Sequence, residues 1–367
     1  MKLEIAREEL LKPLQQVMGA VERRQTIAAL GNVLIRAGED GLELTATDLE
    51  LELRAITPLT VEQPGETTVS ARKLLEICRS LPAEARVGLE RDGERVVIRS
   101  GRSRFTLATL PPGDFPVIED VQTQVEFRVP QSDLKQAIES IGFAMAQQDV
   151  RYYLNGLLVE LAGDRLRTVA TDGHRLSMCE ISAELPEATG HQVIVPRKGV
   201  NELARLLDGD SQETVTVAVG TSHMQVVLPG LRFTSKLIDG RFPDYTRVVP
   251  ESGDKELRAQ REQLRQALAR ASILSNEKYR GVRLAMSAEG LRIQTHNPDH
   301  EEAEEELEVT YHGDPLEIGF NVTYLLDILA SLVGDEVHIQ FSDSNSSCLV
   351  TDPASGACRH VVMPMRL

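Results

Sequence analysis

Leu42–Leu49 reads LELTATDL, and the pattern returns 124 residues later as LRTVATDGHRL over Leu166–Leu176. Leu42 falls on Leu166, Thr47 on Thr171 and Asp48 on Asp172. A weaker third copy, LRIQTHN, occupies Leu291–Asn297. A chain that returns to one pattern at a fixed interval points to copies of one structural unit, so the repeat limits the possible folds more than any local motif does. Only the middle copy carries Gly173, His174 and Arg175 after the aspartate.

The rest of the chain follows the same rhythm. Leu10–Leu14 (LLKPL), Leu134–Ile138 (LKQAI) and Leu264–Leu268 (LRQAL) each place apolar residues four apart, on one face of a helix. Acidic or amide residues precede each, as a helix N-terminus favours. Strand-like runs follow at Asn32–Arg36, Asn155–Glu160 and Gly281–Ala285, and then the alternating segments of period two. Second helices are expected over Ala71–Leu81, Arg197–Leu207 and Asn321–Leu332. Closing strands come next, with Phe105–Pro116 matching Phe233–Pro243 and the chain ending RHVVMPMRL. The 367 residues therefore divide into three α+β units of about 122 residues: 1–125, 126–253 and 254–367, with Glu251–Asp254 as a linker.

Composition removes several classes. No apolar run reaches membrane-spanning length, and MKLEIAREELLKPL has charges where a signal peptide needs an apolar core, so a cytoplasmic protein is expected. The four cysteines (Cys78, Cys179, Cys348, Cys358) lack metal-like spacing and read as reduced, mostly buried thiols. Neither a metal nor a cofactor is expected. Asp172, His174 and Ser177 lie close together, yet no nucleophile elbow, phosphate loop, zinc-protease motif or dinucleotide fingerprint accompanies them. Asp48, which lacks the histidine, shows that the Thr-Asp pair does turn or capping work. No catalytic residue is assigned. The net charge of −16 opposes nucleic-acid binding only in sum. Arg95, Arg99, Arg102 and Arg104 make one basic patch in the first third, and EEAEEELE over Glu301–Glu308 makes an acidic one in the last, as a head-to-tail contact between copies would use.

Size supports that reading. A unit of this length is roughly 35 Å across. Three such spheres in a triangle enclose a hole of only about 5 Å, whereas six in a hexagon enclose roughly 35 Å. Duplex DNA, on the order of 20 Å across, passes through six but not through three.

Gln148–Gly156 (QDVRYYLNG), Thr168–Leu176 (TVATDGHRL), Thr234–Tyr245 (TSKLIDGRFPDY), Ile273–Gly281 (ILSNEKYRG) and Val361–Leu367 (VVMPMRL) carry a specific likeness. From Met1 to Leu367 the chain resembles the bacterial DNA polymerase III β subunits, the sliding clamps. The resemblance implies three similar domains, each with two helices inside and antiparallel sheets outside. Two chains would close a ring around duplex DNA without sequence preference and without catalysis. The partners it implies are the replicative polymerase catalytic subunit, a clamp loader, and repair polymerases and other replication factors that dock a short peptide motif.

Carried over residue by residue, the family's peptide pocket corresponds to Leu154, Thr171, Gly173, His174, Arg175, Leu176, Pro243, Arg247, Val248, Tyr279, Asn321, Tyr324, Ser347, Val361, Val362, Met363, Pro364, Met365 and Arg366. His174 and the two arginines would form a polar rim, and the Met and Val side chains an adaptable apolar groove. Asn345 departs from the apolar residue the family often has. DNA-facing positions correspond to Arg24, Arg72, Gln148, Tyr152, Tyr153, Arg197 and Lys198. The ring interface corresponds to Lys73, Arg95, Arg102, Arg104, Phe105, Ile273, Leu274, Glu301, Glu302, Glu304 and Glu305. The alternative is a peptide-binding scaffold with the same repeats that does not encircle DNA.

Overall fold

The structure, a computed structural model, describes residues 1–22, 27–118, 121–183, 185, 190–250 and 253–366. Three successive stretches share one element order. The first runs β1 (Lys2–Ala6), α1 (Arg7–Val17), β2 (Asn32–Gly38), β3 (Gly41–Thr47), β4 (Leu51–Thr57), β5 (Gly65–Ser70), α2 (Ala71–Ser80), β6 (Arg86–Asp92), β7 (Arg95–Ser100) and β8 (Ser103–Leu110). The second runs β9 (Thr123–Pro130), α3 (Gln131–Glu139), β10 (Gly156–Ala162), β11 (Arg165–Thr171), β12 (Arg175–Ser182), β13 (Gln192–Pro196), α4 (Arg197–Leu206), β14 (Thr214–Gly220), β15 (His223–Leu228) and β16 (Leu231–Lys236). The third runs β17 (Lys255–Gln260), α5 (Arg261–Ala271), β18 (Gly281–Ser287), β19 (Gly290–His296), β20 (Glu302–Leu307), β21 (Thr310–His312), β22 (Leu316–Asn321), α6 (Val322–Ser331), β23 (Glu336–Phe341), β24 (Cys348–Thr351) and β25 (Cys358–Val362). Among the described residues, β21 is the one added strand.

Each helix expected from the sequence forms within a residue or two of its expected ends or around its apolar pair. Leu10, Leu14, Leu134, Ile138, Leu264 and Leu268 are all buried, each worth roughly 1.5–3 kcal/mol of transfer free energy. The first-helix caps differ from expectation. Ala6, Pro130 and Gln260 occupy the cap positions and make no side-chain cap bond, while Glu8, Glu9, Asp133 and Glu262 lie inside the first turn. There they face the positive end of the helix dipole and act through charge, without accepting a capping hydrogen bond.

Strand pairing explains how repeats join. One sheet runs β1-β6-β7-β8-β5-β2-β3-β4-β16-β15-β14-β9, a second β13-β10-β11-β12-β25-β24-β23-β17-β21, and a third β20-β19-β18-β22. The closing strand of the second repeat, β16, pairs with β4 of the first, and the closing strand of the third, β25, pairs with β12 of the second. The chain accordingly gathers into two compact units. One holds Met1–Val129, Arg205–Leu207 and Glu213–Leu237, and the other holds Pro130–Ala204, Asp208–Gln212 and Ile238–Leu367. The middle repeat is split between them because its two sheets continue into different neighbours.

The cysteine expectation needs correction. Cys78 and Cys348 are free and buried, but Cys179 and Cys358 are bonded to each other. They stand directly opposite one another on β12 and β25. Their proximity comes from a strand pairing between repeats, which no local spacing encodes.

Candidate peptide groove and interface edges

The repeated Thr-Asp pair builds the same turn twice. Thr171 donates from Oγ1 to the Arg175 carbonyl at 2.6 Å, and Asp172 Oδ1 accepts from the His174 and Arg175 N–H groups at 2.9 and 3.0 Å. In the first repeat Thr47 donates to the Leu51 carbonyl at 2.9 Å, and Asp48 Oδ1 accepts from Glu50 and Leu51 at 2.9 and 2.7 Å. Both turns need a residue at positive φ, Gly173 at 89° in one and Leu49 at 78° in the other. Glycine meets that need without strain, and its bareness has a second use. A Cβ there would sit 2.9 Å from an Arg151 guanidinium nitrogen. Arg151 donates to the Asp172 carbonyl at 3.2 Å and pairs with Asp149 at 2.9 Å, which holds the Asp149 carboxyl down at about 2.

Arg175 is the fastening point. Its guanidinium reaches Asp172 at 3.1 Å, Asp327 of α6 at 2.6 Å and the Phe143 carbonyl at 2.8 Å. It also stacks 4.5 Å from the Tyr324 ring centroid and 5.1 Å from that of Phe143. With 10% of its side chain exposed, it is a buried tie between repeats and not a rim residue, contrary to the expectation. His174 and Arg247 are exposed, and Arg247 pairs with Asp244 at 2.8 Å. Sequence reasoning missed Arg151, Asp327 and Phe143. Asp327 carried one signal, its place one helical turn after Tyr324.

The apolar candidates divide into floor and surface. Leu154, Leu176, Val361 and Val362 are at most 3% exposed. Leu176 and Val361 pack in one cluster with Phe242, Tyr245 and Leu349, which joins second-repeat and third-repeat residues. Tyr245 is braced at its hydroxyl, which accepts from Arg167 at 2.8 Å and bonds Glu160. Burial, then the bond to Glu160, pushes the phenol up to about 12, so it stays protonated. Pro243, Val248 and Met363 stay exposed. The Met363 N–H donates to the His174 carbonyl at 3.0 Å, and the Met365 N–H to Gly319 at 2.8 Å, so backbone bonds pin the terminal segment.

A second group lies beside the first. Tyr279, Met365 and Arg366 line a cleft of about 380 Å³ with Asn276, Gly281, His296, Asn297 and Pro298. Asn321 caps α6 through Thr323 at 2.9 Å and pairs with Gly281. Ser347 and Pro364 are half-buried, and Asn345 is exposed on its own turn with Asp343.

Among the DNA candidates, Arg24 lies outside the described residues. Arg72, Gln148, Tyr152 and Lys198 are exposed and Tyr153 is half-buried. Gln148 sits at φ 56°. Arg197 is tied down, donating to the Met145 carbonyl at 2.7 Å, and burial lowers its pKa.

Among the interface candidates, Lys73, Arg95, Arg102, Arg104, Glu301 and Glu302 are exposed and Phe105 and Leu274 half-buried, while Ile273 is 76% exposed. Two of the glutamates are less available than expected. Glu305 is held bidentately by Arg270 at 2.8 and 2.6 Å, and Glu304 accepts from Gln294 at 2.6 Å. What the sequence did not reveal is the state of the strands. β8 pairs with β7 along its length but with β5 only at Thr109 and Leu110, and β20 pairs only with β19. Each therefore presents an open edge among the described residues.

Family models for the DNA polymerase III beta subunit match in three consecutive pieces: N-terminal domain over residues 1–119, central domain over 128–244 and C-terminal domain over 246–366. The chain belongs to the DNA polymerase III beta subunit family. It is 52% identical to the beta sliding clamps of Pseudomonas aeruginosa and Escherichia coli, across all of this chain and all of each relative. A solved sliding clamp from Pseudomonas aeruginosa bound to griselimycin superposes with a TM-score of 0.97 at 52% identity, and the Caulobacter crescentus polymerase III beta with 0.94 at 40%, each over the whole of both chains. Beta subunits are non-catalytic processivity factors, and the Thr-Asp turns and buried Arg175 serve structure in that context. No described helix is long and apolar enough to cross a membrane.

Proposed function

We propose that two copies of this chain close head to tail into a ring that encircles duplex DNA and tethers the replicative polymerase, with domains at 1–125, 126–253 and 254–367. The observation that carries the closure is the pair of open edges. Within the chain every β4-type strand but one receives a closing strand: β4 receives β16 and β12 receives β25. Among the described residues β20 receives none, and β8 is a closing strand without a full partner. One chain's β8 on another chain's β20 completes the pattern.

The internal repeats set the register. Phe233 faces Leu53 and His360 faces Ser177. By the same alignment Phe105 faces the partner's Ala303, Arg104 the partner's Glu304 and Arg102 the partner's Glu306. Alternating opposite charges across an antiparallel pair favour that register. Ile273 and Leu274 would supply apolar contact beside it.

The exposed candidates Arg72, Gln148, Tyr152 and Lys198, with the half-buried Tyr153, would touch phosphate without reading bases, as sliding requires. Clients, among them the polymerase, a clamp loader and repair polymerases, would dock a short peptide above Leu176, Val361 and Tyr245. A relative's complex with griselimycin supports a ligand groove. A cytoplasmic location fits this role. The test is retention: a ring loaded on circular DNA stays through gel filtration and leaves once the circle is linearised. Equal retention on both forms contradicts encirclement.

A further inference from the structure

We propose that Cys179 and Cys358 form a reversible redox site, closed by a low-molecular-weight disulfide and reopened by a low-molecular-weight thiol. It fastens the strand that follows the TDGHR turn to the strand that leads into the chain's terminal segment.

Position is the first support. The pair forms the last rung of the β12–β25 ladder, which among the described residues is the one pairing that joins second-repeat to third-repeat strands in the second sheet, and it links residues 179 apart in sequence. The second support is the sister seam. The same rung of β4–β16 is Ala55 opposite Leu231, so the architecture itself does not call for thiols there. The third is chemical separation from the other cysteines. Burial pushes the Cys348 thiol up to about 12 and that of Cys78 to about 11, which keeps both unreactive.

Access comes from one side. Cys358, 6% exposed, follows the exposed turn Pro353–Gly356, whereas Cys179 is 1% exposed. The Cys358 thiolate attacks the small disulfide and releases one small thiol. The Cys179 thiolate then attacks the mixed disulfide at Cys358 and releases the second. The cysteines give up two protons and two electrons, and the small disulfide takes them up as two thiols. In a thiol-rich compartment the reverse exchange keeps the site open until the poise shifts.

Closure prevents the ladder from fraying at its cysteine end, so β25 holds the Met363–Arg366 segment against His174 and Gly319 more tightly. This last step rests on the peptide-groove reading; the redox chemistry does not.

The experiment equilibrates the full-length protein in glutathione buffers of graded ratio, traps thiols by alkylation and maps them by mass spectrometry. The expected result is joint conversion of Cys179 and Cys358 at one midpoint, with Cys78 and Cys348 alkylated only after unfolding. The oxidised protein should melt several degrees higher, and Cys358→Ser should abolish that difference. Wild-type protein compared in its two states decides the matter if the variant misfolds. A pair that stays dithiol in oxidised glutathione, stays closed in excess reduced glutathione, or joins Cys348 instead overturns the proposal. In parallel, calorimetry with a polymerase-tail peptide should show at least threefold weaker binding to the reduced form. Equal affinities overturn the coupling, while absence of binding in both states alongside normal thiol cycling overturns the groove reading instead.

Discussion

His360 and Ser177 face each other across the β12–β25 seam, with Nδ1 2.9 Å from Oγ and neither residue accessible to solvent. The other ring nitrogen has no partner among the described residues, and Phe143 stacks against the imidazole at 5.9 Å. Burial pushes the imidazole down to about 4, against a small upward pull from Asp352. The folded chain therefore keeps His360 neutral, while the unfolded chain protonates it near pH 6.5. Stability from this group is complete above that value and is lost as pH falls toward 4, by roughly 3 kcal/mol in the limit. Urea midpoints from pH 7 to 4.5 should fall steeply for the wild type and less for His360→Gln. Parallel curves would remove His360 as the cause.

Arg175→Ala should cost about 2–3 kcal/mol. It strips a charged partner from Asp172 and Asp327 and a donor from the Phe143 carbonyl. Arg175→Lys should recover little, because an ammonium cannot span three acceptors and stack on Tyr324 together. Chemical denaturation measures both variants.

The edge register makes a charge-reversal prediction. Arg104→Glu would oppose the partner's Glu304 at both closures and should raise the dimer dissociation constant at least tenfold, about 1.4 kcal/mol. Adding Glu304→Arg to the same chain should restore it. Ile273→Ala with Leu274→Ala should also open the dimer, and because Ile273 is exposed in the single chain it should do so with little loss of folding stability. Sedimentation at low micromolar concentration reads all three, and an unchanged dimer for the single reversal would show that the strands meet in another register.

Removing residues 363–367 takes away the Met363 and Met365 backbone bonds to His174 and Gly319. Peptide binding should vanish while the dimer persists. Met363→Ala alone should weaken binding by roughly 1–3 kcal/mol. Calorimetry on both variants is the check, and unchanged affinity in the truncated chain would place the groove elsewhere.

Features set by neighbours in sequence were legible beforehand. The helix faces and the Thr-Asp turns follow from spacing within a dozen residues, and the threefold order from the return of those local patterns along the chain. Features made by distant partners were not. Nothing near Arg175 announces Asp327, 152 positions away, and nothing near Cys179 announces Cys358. Val361 and Val362 looked like groove surface, but the strand pairings that cover them lie outside their own segment. Acidic residues in EEAEEELE looked wholly available to a second chain, yet Arg270 claims Glu305 within this one.

Under the proposed pairing, each copy is a bifunctional monomer with one donor edge and one acceptor edge. Such units grow into open filaments unless the second joint can be made within the same assembly. Two copies already held by one seam present the remaining edges to each other at a high effective concentration, so closure outruns growth. A lesion in β8 alone leaves the β20 of the same chain intact. That chain can still mate once with a normal copy, and the hybrid has one seam it cannot shut. In a mixed population edge defects would therefore be dominant, disabling healthy copies one for one.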